Sequence, residues 1–365
     1  MSVAPQPQPD SREPRDLYWI VFGPQGMRTG WLVLMFYCLY RFFGYILSGF
    51  AYAAAPALFK SRFSPLTAMV SELVPFVAML GAGAVMMRLE PRRPAGYNLR
   101  DSRALRHFFS GLVIGFLALS TLVGILAFGG WLHFGPRALS GSRILAYALI
   151  WAVAFLLVGC VEEGTFRCYG QWTLTRGINF WWALAFVFAL CTYAYFFIDC
   201  GCTLGVYVAA AVGLFPCLIL HLKKAESSGF WQAAWATSTG FGFVHTLNSG
   251  ENWIGIFAAA SIGFVFCVSI WVTGSAWWAI GCHAAWDWTE TYFYGTADSG
   301  FVAPGHLFST WPAGDPLWSG GSDGPEGSLW IVPVVLLMLV WLVIVYRRPR
   351  REQVHALSET EQLAS

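Results

Sequence analysis

LAYALIWAVAFLLVGCVEEGTFRCYGQWTL, residues 145–174, decides the fold class. Its first half is apolar without a break, and a helix crossing the hydrocarbon layer needs only about 20 such residues. Its second half carries Glu162, Glu163 and Arg167 within the same apolar run. A charge at the centre of a bilayer costs about 2.5 to 3.5 kcal/mol on insertion scales, so it marks function by default.

The rest of the chain repeats the apolar theme. Of 365 residues, 57% are hydrophobic and only 12% charged, against about 25% charged in an ordinary soluble domain. Windows of spanning length fall at 29–50, 66–87, 107–131, 145–174, 180–199, 203–222, 230–248, 253–272, 275–294 and 328–346. The expected fold is all-α: a polytopic transmembrane helical bundle of about ten spans, with the active site within the membrane. A net charge of +2 gives no basic patch for nucleic acid.

Arg88, Arg92, Arg93, Arg100, Arg103 and Arg106 crowd the second loop. Arg176, then Lys223 and Lys224, then the basic tail from Arg347 fall on the same side of a ten-span chain. The positive-inside rule makes that side cytoplasmic, together with both termini. Lys60 and Arg62 fall on the other side as exceptions.

The expected organisation is a disordered cytoplasmic segment at 1–28, N-terminal transmembrane helices at 29–140, and a core at 145–295. An external loop at 296–327 follows, then a last span at 328–346 and a basic cytoplasmic tail at 347–365. The loop's Gly, Pro, Ser and Asp content reads as a solvated connection. No secretory signal pattern precedes the first span. Asn179-Phe180-Trp181-Trp182-Ala183 is echoed by Gly229-Phe230-Trp231-Gln232-Ala233. The echo suggests a two-helix insertion near 180–228. The nine cysteines lie mostly in apolar runs, where a free thiol behaves as a small hydrophobe.

Three clusters of ionisable residues lie in spans: Glu162-Glu163 with Arg167, Phe241 with His245, and His283 with Asp287. At 1.5 Å per residue, Glu162 lies roughly 20 Å from Arg176, His245 roughly 24 Å from Gly229, and His283 roughly 13 Å from Gly274. With helix tilt the three can meet in one layer. Glu163 and Arg167 are four apart and placed to pair, as are His283 and Asp287. Glu162 is rotated about 100° from Glu163. A carboxylate in such a place can serve as a general base. Histidines can bind a metal, donate to an oxyanion or orient a water. The plainer readings are a structural Glu163–Arg167 ion pair and satisfied core histidines. His107, His221, His306 and His355 sit at span ends, in loops or in the tail and receive no role.

Glu162-Glu163-x-x-x-Arg167, Phe241-x-x-x-His245 and His283-x-x-x-Asp287, in this order on apolar segments, resemble the CAAX protease and bacteriocin-processing family of intramembrane proteases. The text around them is similar too: Arg167-Cys168-Tyr169-Gly170-Gln171, the run from His245 to Asn252, and Gly281-Cys282 before His283. The resemblance covers about 160–300 and leaves 1–140 without explanation.

The resemblance implies hydrolysis of a peptide bond in or near the membrane of a bacterial inner (plasma) membrane protein. Glu162 would activate water with help from His245. His283 and the fourth residue of its motif would stabilise the oxyanion, with Glu163 and Arg167 in support. Asp287 departs from the Asn of many relatives. An ionised Asp only accepts hydrogen bonds, so it would orient His283, bind a metal or act protonated. Two His and a Glu suit zinc, with Glu162, His245 and His283 as the candidate ligands. The implied partners are a peptide or protein substrate and the lipid bilayer. Two other readings fit charge in lipid: a proton- or ion-coupled transporter, and a catalytically silent membrane scaffold.

Overall fold

A computed structural model describes residues 18–23, 26–57, 63–90, 96–198 and 201–346. Most of the 1–28 segment, Lys60, Arg62, Cys200 and the 347–365 tail lie outside the described residues. A helical turn at Tyr18–Val21 and a two-residue hairpin pairing Phe22 with Met27 precede the first long helix.

All ten apolar windows are helical. They are α1 Thr29–Ala54, α2 Pro65–Leu89, α3 Ala104–Phe128, α4 Ser142–Glu163 and α5 Phe180–Phe197. The second half comprises α6 Thr203–Leu222, α7 Ser228–His245, α8 Trp253–Thr273, α9 Trp277–Asp287 and α10 Ile331–Val345. Seven of these segments are long and apolar enough to cross a membrane: α1 to α6 and α8, with α4 counted through to Thr175. The other three differ for visible reasons. α7 buries Gln232, Thr237, Ser238 and Thr239 inside the bundle, α9 has 11 residues, and α10 has 15. The chain is an integral multi-pass membrane protein with an all-α bundle fold.

Local sequence sets the helix starts. Ser64 and Thr67 cap α2 reciprocally, with Pro65 in the first turn. Asn179 caps α5 through Trp182 N–H. Asn252 caps α8, its Oδ1 accepting from Ile254 and Gly255.

α8 is buried along most of its length and forms the centre, while α1 lies at the periphery with only Phe36 buried. Around α8 the main core joins α3, α9 and α10 through Leu119, Leu122, Phe266, Trp278 and Met338. α5 and α6 pack on the outside of α7 and α8.

α9 is short and is fixed by close approach. On α3, a Cβ at Gly111 would strike the Trp278 carbonyl and one at Gly115 the Cys282 carbonyl. Gly281 faces the Phe108 carbonyl in return. Such four-residue spacing of small residues lets backbones touch where lipid offers no hydrophobic drive. At the start of α9, Asn98 (φ +58) accepts from Ala276 N–H through its carbonyl and donates through its amide to the Arg167 carbonyl. Nearby, Asp101 receives Ser275 Oγ at 2.6 Å and faces His107 Nδ1 at 2.5 Å. Burial raises the Asp101 pKa, but hydrogen bonds from Ser275, the Arg103 N–H and His107 outweigh it and leave the pKa lowered.

The 296–327 loop is folded. Strand β1, Leu132–Arg137, pairs antiparallel with β2, Phe308–Pro312, in the register Leu132 to Pro312 and Phe134 to Thr310. Asp323, Ser319 and Ala303 are buried. The backbone N–H of Asn252 donates to Asp323 at 3.0 Å, and its side-chain amide donates to the Gly327 carbonyl at 3.1 Å. The loop therefore forms a cap joined to the start of α8. Its composition reads as solvated because the polar groups that hold it down are the same residue types that favour open loops.

Candidate active site

α4 carries Glu162 and Glu163 as its last two residues. The chain then widens into a π-helical stretch, Gly164–Gln171, before a last α turn at Trp172–Thr175. α9 does the same: Asp287 is its last residue, and Trp288–Tyr294 is π-helical. Helices thus change period at the carboxylates of two motifs, and π-helical turns often accompany functional sites. At Gly164 a side chain would collide with Met79 of α2, so glycine keeps α4 against that helix.

His283 is where the first and third motifs meet. Its Nδ1 donates to Glu163 Oε1 at 2.9 Å. Its Nε2 lies 3.6 Å from Glu162 Oε2 and 3.5 Å from Asp287 Oδ2. Glu162 and Glu163 leave α4 in different directions, as expected, yet both reach the same imidazole because His283 sits between them. Phe266 stacks on this ring at 5.6 Å, and Phe241 meets it edge-on at 6.1 Å.

Glu163 and Arg167 are fully buried, with Arg167 Nε 3.2 Å from Glu163 Oε2. The guanidinium has no hydrogen-bond partner among the described residues. It lies instead over the faces of Phe241 at 4.5 Å and Phe266 at 5.6 Å, where the ring quadrupole attracts a cation. Gly263 of α8 faces it, and a Cβ there would collide with the guanidinium.

His245 ends α7 and is half-buried. Its Nδ1–H donates to the Phe241 carbonyl at 2.8 Å, which orients the ring and leaves Nε2 available. Among the described residues no hydrogen bond or ion pair joins it to Glu162, His283 or Asp287. Phe241 links it to them instead, with ring centroids 4.7 Å from His245 and 6.1 Å from His283.

Three further groups were passed over in the sequence. Glu72 of α2 and Tyr40 of α1 both interact electrostatically with Glu162. Glu72 had a signal, being an acid inside an apolar window. Asp298 of the cap feels His245, Glu162 and His283 together. It had none, because an Asp in a Gly-rich loop is ordinary. Other cap acids stand close by. Burial, then the charge of Glu251, lifts Asp323 to about 8. Burial, then the charge of Asp298, raises Glu326, which accepts from Trp286 Nε1.

A zinc ion would need Glu162, His245 and His283 to converge on one point. Both nitrogens of His283 face carboxylates, and the His245 ring is tied to a carbonyl on a neighbouring turn. Among the described residues no three His, Cys, Asp or Glu side chains are placed to hold one metal ion. The residues do not fit the expected ligand set of Glu162, His245 and His283. What they do offer is a carboxylate base, an imidazole hydrogen-bonded to Glu163 with Glu162 and Asp287 near its other nitrogen, and a second imidazole with one open nitrogen.

No curated protein and no solved structure matches the chain. Residues 214–289, from α6 to the π-helical turn after α9, match the family described as type II CAAX prenyl endopeptidase Rce1-like. The matched span contains His245, His283 and Asp287 and ends short of Glu162 in the other direction. With the Glu162-Glu163 motif delivered to His283 by α4, this match supports membership of the CAAX protease and bacteriocin-processing family.

Proposed function

We propose that the chain is an intramembrane endopeptidase that hydrolyses a peptide bond with water activated by Glu162. The observation that carries the reading is the convergence of Glu162, Glu163 and Asp287 on His283. Glu162 is the half-exposed acid of its pair, while Glu163 is sealed from solvent. Only Glu162 can therefore meet a substrate and a water.

In this reaction Glu162 takes a proton from water, and the oxygen attacks the scissile carbonyl carbon. His245 Nε2 accepts a hydrogen bond from the same water and aims its lone pair. The carbonyl oxygen becomes an oxyanion. His283, holding Nδ1–H on Glu163, turns its Nε2–H to that oxygen. Asp287, with Oδ2 3.5 Å from the same Nε2, orients the ring electrostatically before substrate arrives. Glu162 then returns its proton to the amide nitrogen as the C–N bond breaks, giving an acid and an amine. Arg167 fixes Glu163 and takes no part in proton transfer.

The substrate is a peptide or protein segment at the membrane. On the positive-inside rule the loop arginines and lysines support a cytoplasmic position for both termini, with the cap on the opposite face, and the family resemblance supports a bacterial inner membrane.

The test is a purified protein in vesicles given a reporter peptide, with products identified by mass. Wild type is expected to yield the two hydrolysis fragments, and His283→Gln and His245→Gln to yield far less. Equal product from wild type and both variants would remove this site from the chemistry.

A further inference from the structure

Arg41 stands at the midpoint of the 26 residues of α1 and is exposed there. The centre of a span lies about 15 Å from the edge of the hydrocarbon on either side. That is farther than an arginine side chain extends, so snorkelling alone leaves the charge in lipid. A cation at such depth almost always faces a partner or a cavity and marks a substrate path. Among the described residues Arg41 makes no ion pair.

Its side of α1 is polar for a lipid-facing helix. Tyr37, Arg41, Tyr45, Ser48 and Tyr52 recur at intervals of three or four and so share one face. All five are exposed. The last three line a cleft of about 640 Å³ together with Ser71, Val74 and Pro75 of α2. Pro75 has no N–H to give the Ser71 carbonyl, so the α2 wall adds a polar group. Towards the cytoplasmic side of the cleft the two helices touch, Gly44 against Ala78 and Phe43 against Gly81.

Packing fixes the depth of Arg41 relative to the site. Phe36 of α1 stacks on Tyr169 of the π-helical stretch, with ring centroids 4.0 Å apart. α1 and α4 run in opposite directions, so Arg41, five residues after Phe36, and Glu162, seven before Tyr169, lie on the same side of that stack. At 1.5 Å per residue both stand roughly 8 to 10 Å from it. α2, the other wall of the cleft, packs on α4 through Met79 against Gly164. The cation and the carboxylate base therefore share one layer of the membrane.

We infer that Arg41 and the α1–α2 cleft bind a carboxylate of the substrate and so select segments that carry an anion near the scissile bond. The inference rests on the endopeptidase reading above and adds a specificity-determining residue to it. A guanidinium takes a carboxylate in two parallel hydrogen bonds. The Tyr45 and Ser48 hydroxyls can donate to the same anion. An ion pair formed there relieves an unpaired charge in hydrocarbon, which gives an anionic substrate its advantage over a neutral one. A terminal carboxylate and an acidic side chain offer the same chemistry.

The test uses the full chain in vesicles of phosphatidylcholine and a set of reporter peptides. One has a single Glu and an amidated C-terminus, one a free C-terminus and no acidic side chain, and one neither anion. Binding is read by fluorescence anisotropy and cleavage by mass. Wild type should bind an anionic peptide more tightly than the neutral one, and the preferred peptide identifies the source of the carboxylate. Arg41→Gln should raise Kd and KM for that peptide about tenfold or more at unchanged kcat, the mark of lost uniform binding. It should leave the neutral peptide and the thermal midpoint unchanged, and Arg41→Lys should keep part of the preference. Equal binding of all peptides by wild type, or an equal loss for all in Arg41→Gln, would overturn the inference. So would an Arg41→Gln effect that appears only when phosphatidylglycerol is added, since the cation would then serve a lipid headgroup. If wild type shows the Arg41-dependent preference in binding but cleaves nothing, the endopeptidase reading falls and the anion site stands.

Discussion

Arg167 is fully buried, so its charge is answered by Glu163 and by aromatic faces rather than by solvent. Removing one member of a buried pair leaves the other uncompensated, at a cost of about 3 to 5 kcal/mol. Arg167→Met should therefore lower the unfolding free energy in detergent by about that much, and a loss below about 1 kcal/mol would contradict the packing described. Arg167→Lys should rescue little, since a point charge cannot lie flat between Phe241 and Phe266. Asp287 is a different case. Its Oδ2 lies 3.5 Å from His283 Nε2, and an amide in its place could also donate to an oxyanion. Asp287→Asn is expected to retain cleavage and Asp287→Leu to lose most of it, as read from kcat in the reporter assay.

Much at this scale was legible in the sequence. The spacing of four predicted that Glu163 and Arg167 would pair, and likewise His283 and Asp287, and both contacts are present. Spacing could not foretell that His283 would join Glu162 and Glu163, because that depends on how α9 lies against α4. Glu72 was legible by the same rule that singled out Glu162.

At the scale of the element, α9 shows how a short helix is held inside lipid. Its contact with α3 works through backbones meeting at Gly111, Gly115 and Gly281. Gly115→Ala should push α9 away, costing about 1 to 3 kcal/mol as overpacking does. It should also lower cleavage, because His283 rides on that helix. Gly124→Ala, in open space on the same α3, is the control and should leave both unchanged. Equal effects at the two glycines in an unfolding titration would count against close packing as the reason for this interface.

The helices themselves were visible as ten apolar windows, since a bilayer demands a long and nearly uncharged run. The two π-helical turns were not. They have no compositional signature, because the change of period leaves the residue types unchanged.

At the scale of the molecule, the cap is the feature that composition misread. Its acids are packed together, and Asp323 holds its proton up to about 8 because of burial and then Glu251. A carboxyl near 4 in the unfolded chain that titrates near 8 in the folded one binds more protons when folded. Its contribution is fully present below about pH 4 and is lost as pH rises through about 8. Amide exchange in the cap, corrected for intrinsic rate, should show weaker protection at about pH 9 than at about pH 6. Asp323→Asn should flatten that dependence. Protection that strengthens with pH would contradict the sign.

The central claim concerns one carboxylate, and one comparison tests it. Cleavage of the reporter peptide is measured for wild type and Glu162→Gln in vesicles, with thermal midpoints taken on the same samples. The expected result is a fall in kcat of about 100-fold or more with the midpoint kept, the scale of losing a general base. A folded Glu162→Gln protein that cleaves at the wild-type rate would contradict the account.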